Sequence, residues 1–130
     1  MIDPTHPLAS WFLWAAAALF LAVYAVPILV APLWWARRFR WTMPEHTHLA
    51  VYFGRCLGAL AVAVVVLCIR AAPHPQEHTT VFELLVVAGS LLTGVHVWGA
   101  VRRQQPWTET AEIALYGLLT IVAYVIYRGL

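Results

Sequence analysis

Four stretches of this chain stay apolar long enough to cross a membrane, at roughly 8–36, 47–69, 80–101 and 110–127. A helix needs about 20 residues to traverse a hydrocarbon core of about 30 Å, and it satisfies its own backbone hydrogen bonds where no water is present to do so. The spacing therefore predicts an all-α, polytopic membrane protein with four transmembrane helices in one bundle, at about 8–36, 45–69, 80–101 and 109–127. Composition points the same way: 62% of the residues are apolar and 11% charged, against about 25% charged in a soluble domain. In 130 residues the helices leave only short connections and two stubs. A single domain spanning 1–130 is expected, and any chemistry must lie within or beside the bundle. The first apolar run is expected to be a helix rather than a signal peptide. It is too long, lacks a basic leading region and shows no small-residue cleavage site before Leu33-Trp34-Trp35.

Charge gives an expected orientation. Arg37, Arg38 and Arg40 follow helix 1, Arg102 and Arg103 follow helix 3, and the helix 2–3 connection has only Arg70 at its edge. The positive-inside rule then puts both termini outside and the arginine-rich loops in the cytoplasm. Tryptophan, which prefers the headgroup layer, agrees: Trp11 and Trp14 fall near the outer end, and Trp34, Trp35, Trp41, Trp98 and Trp107 near the inner one. The Arg-rich, Ala/Val-rich style suggests a bacterial cytoplasmic membrane. A net charge of +2, distributed by membrane side, argues against nucleic-acid binding. Cys56 and Cys68 share one predicted helix about 18 Å apart, well beyond the about 7 Å limit on Cα separation for a disulfide.

The polar residues inside the spans carry the candidate chemistry. Arg55 falls about ten residues into helix 2, roughly 15 Å from its cytoplasmic end, where an unpaired charge is costly and usually faces a partner or a wet cavity. His48, Tyr52 and Arg55 share one face of helix 2, and Glu112, Tyr116, Thr120 and Tyr124 follow at i+4 on helix 4. The expectation is that these stripes face each other with Thr93 and His96 of helix 3 between them, Arg55 pairing with Glu112 and His96 hydrogen-bonding to either Glu112 or Tyr116. Arg55, His96, Glu112 and Tyr116 would then form an inner-leaflet polar pocket, in which Arg55 holds an oxygen and His96 or Glu112 moves a proton. His48 and His96 are weak candidates for cofactor binding as haem ligands. Two lone histidines lack metal-ligand spacing, so no metal site is expected. A smaller outer group, Glu83 with His74, His78, Arg70 and Arg128, is expected to be interfacial.

Gly54 and Gly58, extended by Ala50 and Ala61, form a small-residue face suited to close helix packing or to an interface with another subunit. The run Tyr52-Phe53-Gly54-Arg55-Cys56-Leu57-Gly58, followed by an Ala/Val/Leu helix, resembles small four-helix membrane families of the DoxX-like kind. Helix 3, ending in His96-Val97-Trp98-Gly99, is similar to the ergosterol-biosynthesis scaffold family, whose members tether other enzymes and have no known chemistry of their own. The four-helix glutathione-transferase-like membrane family fits in size. It is rejected because the Asn and Glu that should follow its helix 2 arginine are replaced here by Leu-Gly-Ala-Leu-Ala-Val. With no soluble domain, few polar residues and several small-residue faces, the expected role is an integral membrane accessory or scaffold subunit, packed against a larger membrane complex or lipid-processing enzymes. Its expected partners are membrane lipids, a second copy or other membrane subunits. The alternative is a membrane enzyme or a lipid- or quinone-binding protein built on the polar pocket. A dimeric transporter is disfavoured because helix 1 lacks a central acidic residue.

Overall fold

The computed structural model describes residues 1–130 and is all-helical. The first span, Pro7–Val30, comprises α1 (Pro7–Phe20), one π-helical turn (Leu21–Ala25) and α2 (Val26–Val30). A short α3 (Pro32–Arg38) precedes the second span, α4 (His48–Ala71). The third and fourth spans are α5 (Thr79–Val101) and α6 (Trp107–Tyr127). All four spans are long and apolar enough to cross a membrane. Large side chains such as Leu60, Leu91, Leu118 and Ile121 point outward, the inverse of a soluble surface.

Helix 1, expected over 8–36, is interrupted in its second half, as Pro27 and Pro32, each of which removes a backbone donor, predict. Pro27 has no backbone N–H, so the carbonyl of Val23 loses its helical donor. The Trp35 indole donates to that carbonyl instead, at 2.7 Å, and the backbone relaxes through the π turn just upstream. The residue before a proline avoids helical angles, and Ala31, ahead of Pro32, leaves the helix at φ −137°, ψ 62°. Beyond that break α3 ends with Arg37 and Arg38 in its last turn, where they complement the helix dipole. Helix 2 departs from its expected start. It begins at His48 rather than near Pro44, and Thr47 at its N-cap makes no side-chain capping bond. The shift brings Arg55 to about 10 Å from the start of the helix.

Glycines decide which helices pair. A Cβ on Gly58 would stand 2.4 Å from the backbone nitrogen of Leu29, and one on Gly54 would stand 2.5 Å from Pro32 Cβ. The first span and α3 thus lie directly on α4. On the other side, α5 packs along α6, with Gly89 against Thr120 and Gly99 against Gln105. These two pairs touch each other much less than their members touch within each pair. They join at one end through a core that includes Ala9, Leu13, Val65, Cys68, Phe82 and Ile126, with Phe12 and Phe82 stacked at 6.2 Å.

Both termini sit at that same end. Ser10 Oγ donates to the carbonyl of Ala72 and accepts from the Asp3 backbone N–H at 2.9 Å. Asp3 Oδ1 in turn accepts from the Thr5 hydroxyl and from the backbone N–H groups of Thr5 and His6. The Thr5 hydroxyl, then the His6 N–H, hold the Asp3 carboxyl down at about 2. Nearby, Tyr127 donates to Glu83 Oε1 at 2.7 Å; Glu83 therefore takes a tyrosine partner from α6. At the opposite end, the loop after α3 docks on α6, as Thr108 Oγ1 donates to the Phe39 carbonyl.

Candidate functional site

Because the two helix pairs diverge away from their shared core, a slot of about 300 Å³ opens between them. Its walls are apolar, with Phe12, Phe20, Leu57, Val64, Leu85 and Leu119 among them. Its inner end is polar and is built by three elements: His96 from α5, Glu109 and Glu112 from α6, and Tyr24 from the π turn, with Tyr116 one turn beyond Glu112. His96, Glu109 and Glu112 are only 8%, 6% and 7% exposed. No lysine or arginine lines the slot.

The local geometry follows from helix periodicity. Glu109 lies in the first turn of α6, a favourable place for a carboxylate on the helix dipole, and Glu112 lies three residues on, on the same face. On α5, His96 Nδ1 is 2.7 Å from the carbonyl of Leu92, one turn earlier. A carbonyl only accepts, so Nδ1 carries a hydrogen and the ring is held with Nε2 toward α6. Nε2 lies 3.2 Å from Glu109 Oε2 and 3.6 Å from Glu112 Oε2. The Trp41 indole donates to Glu109 Oε1 at 2.9 Å, closing the site from the loop side. Gln105 Nε2 donates to the His96 carbonyl at 2.9 Å. Glu112 Oε1 is buried and has no hydrogen-bond partner. Rings shield the cluster: His96 and Tyr116 have centroids 5.0 Å apart, Tyr24 and Tyr116 6.4 Å, and Tyr24 and Trp35 5.9 Å.

Of the residues expected from sequence, the fold brings together His96, Glu112 and Tyr116 and leaves out Arg55 and His48. Arg55 is exposed and pairs with no acid, so the expected Arg55–Glu112 ion pair is replaced by His96 between two glutamates. The reason is the rotation of α4. Its glycine stripe is pressed on the first span, which turns Leu57 and Ala61 into the slot. Arg55 precedes Leu57 by two residues, about 200° around the helix, and points away. His48 and Tyr52 share that outward face and are exposed, so His48 and His96 form no axial pair. Thr93 spends its hydroxyl on the carbonyl of Gly89 in its own helix. Thr120 does line the slot, although its hydroxyl donates to the Tyr116 carbonyl, while Tyr124 is exposed. Gly54 and Gly58, candidates for packing or an interface, are covered by Pro32 and Leu29 of the same chain.

Three site residues escaped sequence reasoning. Glu109 stands at the start of the helix expected over 109–127 and is not among the sequence candidates, although its i, i+3 relation to Glu112 is a usable signal. Tyr24 depends on the π turn and Trp41 on loop docking, and neither has a sequence periodicity that marks it. Comparisons with protein-family models, curated proteins and solved structures find no match to this chain.

Proposed function

We propose that this protein binds a membrane amphiphile of the lipid or quinone class in the slot between its two helix pairs. The chain of the amphiphile lies along the apolar walls and its head meets His96, Glu109, Glu112 and Tyr116. The observation that carries this is the union, in one cavity, of a long apolar wall with a buried carboxylate–imidazole end. Ligand sites have that character: mostly apolar, with a few converging polar groups that fix orientation. The absence of basic lining residues argues against an acidic head such as a fatty-acid carboxylate. A neutral head bearing hydroxyl or carbonyl groups suits the glutamates and tyrosines, and a quinol–quinone head would also exchange protons with them.

The test is to purify the protein in mild detergent, record native mass spectra and a visible absorption spectrum, and extract bound small molecules. We expect one amphiphile per chain in the wild type and its loss in Ala88→Trp, which fills the slot wall. Wild-type protein that carries no amphiphile but co-purifies with stoichiometric membrane subunits would overturn this function in favour of an accessory or scaffold role. A Soret band would overturn it in favour of haem.

A further inference from the structure

We propose that His96, Glu109 and Glu112 form a site for one first-row divalent cation, Mn²⁺, Fe²⁺ or Zn²⁺, at the inner end of the slot. The inference stands on the ligand geometry and does not depend on what occupies the apolar part. Its first support is the orientation of His96. With the ring hydrogen on Nδ1 toward Leu92, a neutral imidazole directs the Nε2 lone pair at Glu109 Oε2 and Glu112 Oε2. Three acceptors then converge on one point, an arrangement that a metal cation, or else a proton shared on Nε2 or a carboxylate, must bridge.

Distances agree with that. Nitrogen and oxygen ligands bound to a metal at about 2.0–2.2 Å stand about 3.0–3.6 Å apart in octahedral or tetrahedral shells. The His96–Glu109 and His96–Glu112 separations, 3.2 Å and 3.6 Å, fall in that range, and the two carboxylate oxygens, within 4.8 Å of each other, close on the ion as it binds. The outer partners are also those of a metal site: Leu92 fixes the histidine and Trp41 fixes the carboxylate of Glu109. The Glu112 side chain is only 8% exposed, yet its Oε1 bonds to nothing in the protein. That oxygen is free to serve as a second ligand atom, since a carboxylate can bind a cation through one oxygen or both.

Charge selects the ion. Ionised, the two glutamates beside a neutral histidine would carry two negative charges in a pocket without lysine or arginine, which one divalent cation would balance. An imidazole–carboxylate set without sulfur suits Mn²⁺, Fe²⁺ or Zn²⁺ rather than Cu⁺. Three protein ligands leave coordination positions open, as in metal sites that take a further ligand.

The test uses full-length protein in detergent, stripped with chelator and titrated with Mn²⁺ by electron paramagnetic resonance and with Zn²⁺ by elemental analysis. We expect one ion per wild-type chain and none in the double variant Glu109→Gln/Glu112→Gln. Trp41→Phe, which removes only the outer partner of Glu109, keeps the stoichiometry and weakens binding about ten- to a hundredfold. Should the double variant fail to fold, Trp41→Phe and the single Glu112→Gln carry the comparison. Wild-type protein that takes up neither ion, or binding unchanged in all these variants, would overturn the site. An amphiphile retained by wild-type protein that binds no ion would overturn the metal site alone and show the cluster balanced by protons.

Discussion

Glu112 is the residue at which stability and function pull apart. One of its oxygens faces His96 and the other is buried without a partner, a condition that costs a fold about 1–3 kcal/mol. Glu112→Met, close in size and apolar, should therefore raise the thermal unfolding midpoint of the metal-free protein in detergent while abolishing ion uptake. A lowered midpoint would identify Glu112 as a structural anchor. Asp3 behaves oppositely. Its carboxyl sits at about 2, below an ordinary 3.8, because Thr5 and His6 donate to its charged form. A depressed value means stabilisation that is complete above about pH 4 and lost as pH falls toward 2. The protection of the Thr5 and His6 amides against hydrogen exchange, taken relative to the intrinsic rate at each pH, should fall over that interval, and Asp3→Ala should lack that protection already at neutral pH. Neither residue's role was legible beforehand. Glu112 is recognisable as a polar group in an apolar span with Arg55 or His96 as its partner, and choosing between them needs the rotation of each helix about its axis.

At the scale of elements, small residues determine that rotation. Gly58→Ala would drive a methyl into the Leu29 backbone and should destabilise the protein by about 1–3 kcal/mol, as overpacking does. Gly94→Ala meets nothing within 4 Å and should stabilise α5 by roughly 0.5–1 kcal/mol through helix propensity alone. Thermal unfolding of the two variants under one detergent condition checks both signs. Arg55 follows from the same rotation. From about 10 Å inside the start of α4, a long side chain on the lipid face can carry its charge to the headgroup layer. Arg55→Leu should then leave the unfolding midpoint unchanged or higher, whereas losing one partner of a buried ion pair costs about 3–5 kcal/mol. The π turn has a sequence cause in Pro27, yet its consequence, Tyr24 at the polar end of the slot, appears only when Trp35 folds back to the freed carbonyl.

Over the whole molecule, the arrangement is two tightly packed helix pairs that meet at one end and part toward the other. The closed end holds both termini and the joint core. The open end holds the carboxylate–imidazole cluster, capped by the loop that carries Arg40 and Trp41. If the arginine-rich loops face the cytoplasm, a membrane-impermeant thiol reagent applied to intact cells should label Thr5→Cys and spare Arg103→Cys in a background lacking Cys56 and Cys68. The reverse pattern would invert the orientation. The two native thiols offer a packing check: Cys56 is exposed and Cys68 buried, so a lipid-soluble reagent should modify Cys56 much faster.

The sequence by itself determined that this chain forms four membrane-crossing helices, because spanning length and backbone satisfaction in hydrocarbon depend only on local composition. It also marked His96, Glu112 and Tyr116 as polar groups expected to look inward, but marked Arg55 on the same ground, and Arg55 is exposed. Tertiary structure decided which groups meet. The glycine contacts of α4 turn Arg55 outward, the pairing of α5 with α6 sets His96 over Glu109 and Glu112, and the divergence of the two pairs opens the slot above them. Those outcomes depend on the angle at which each helix rests on its neighbour. Periodicity states which residues share a face, but only packing states where that face points.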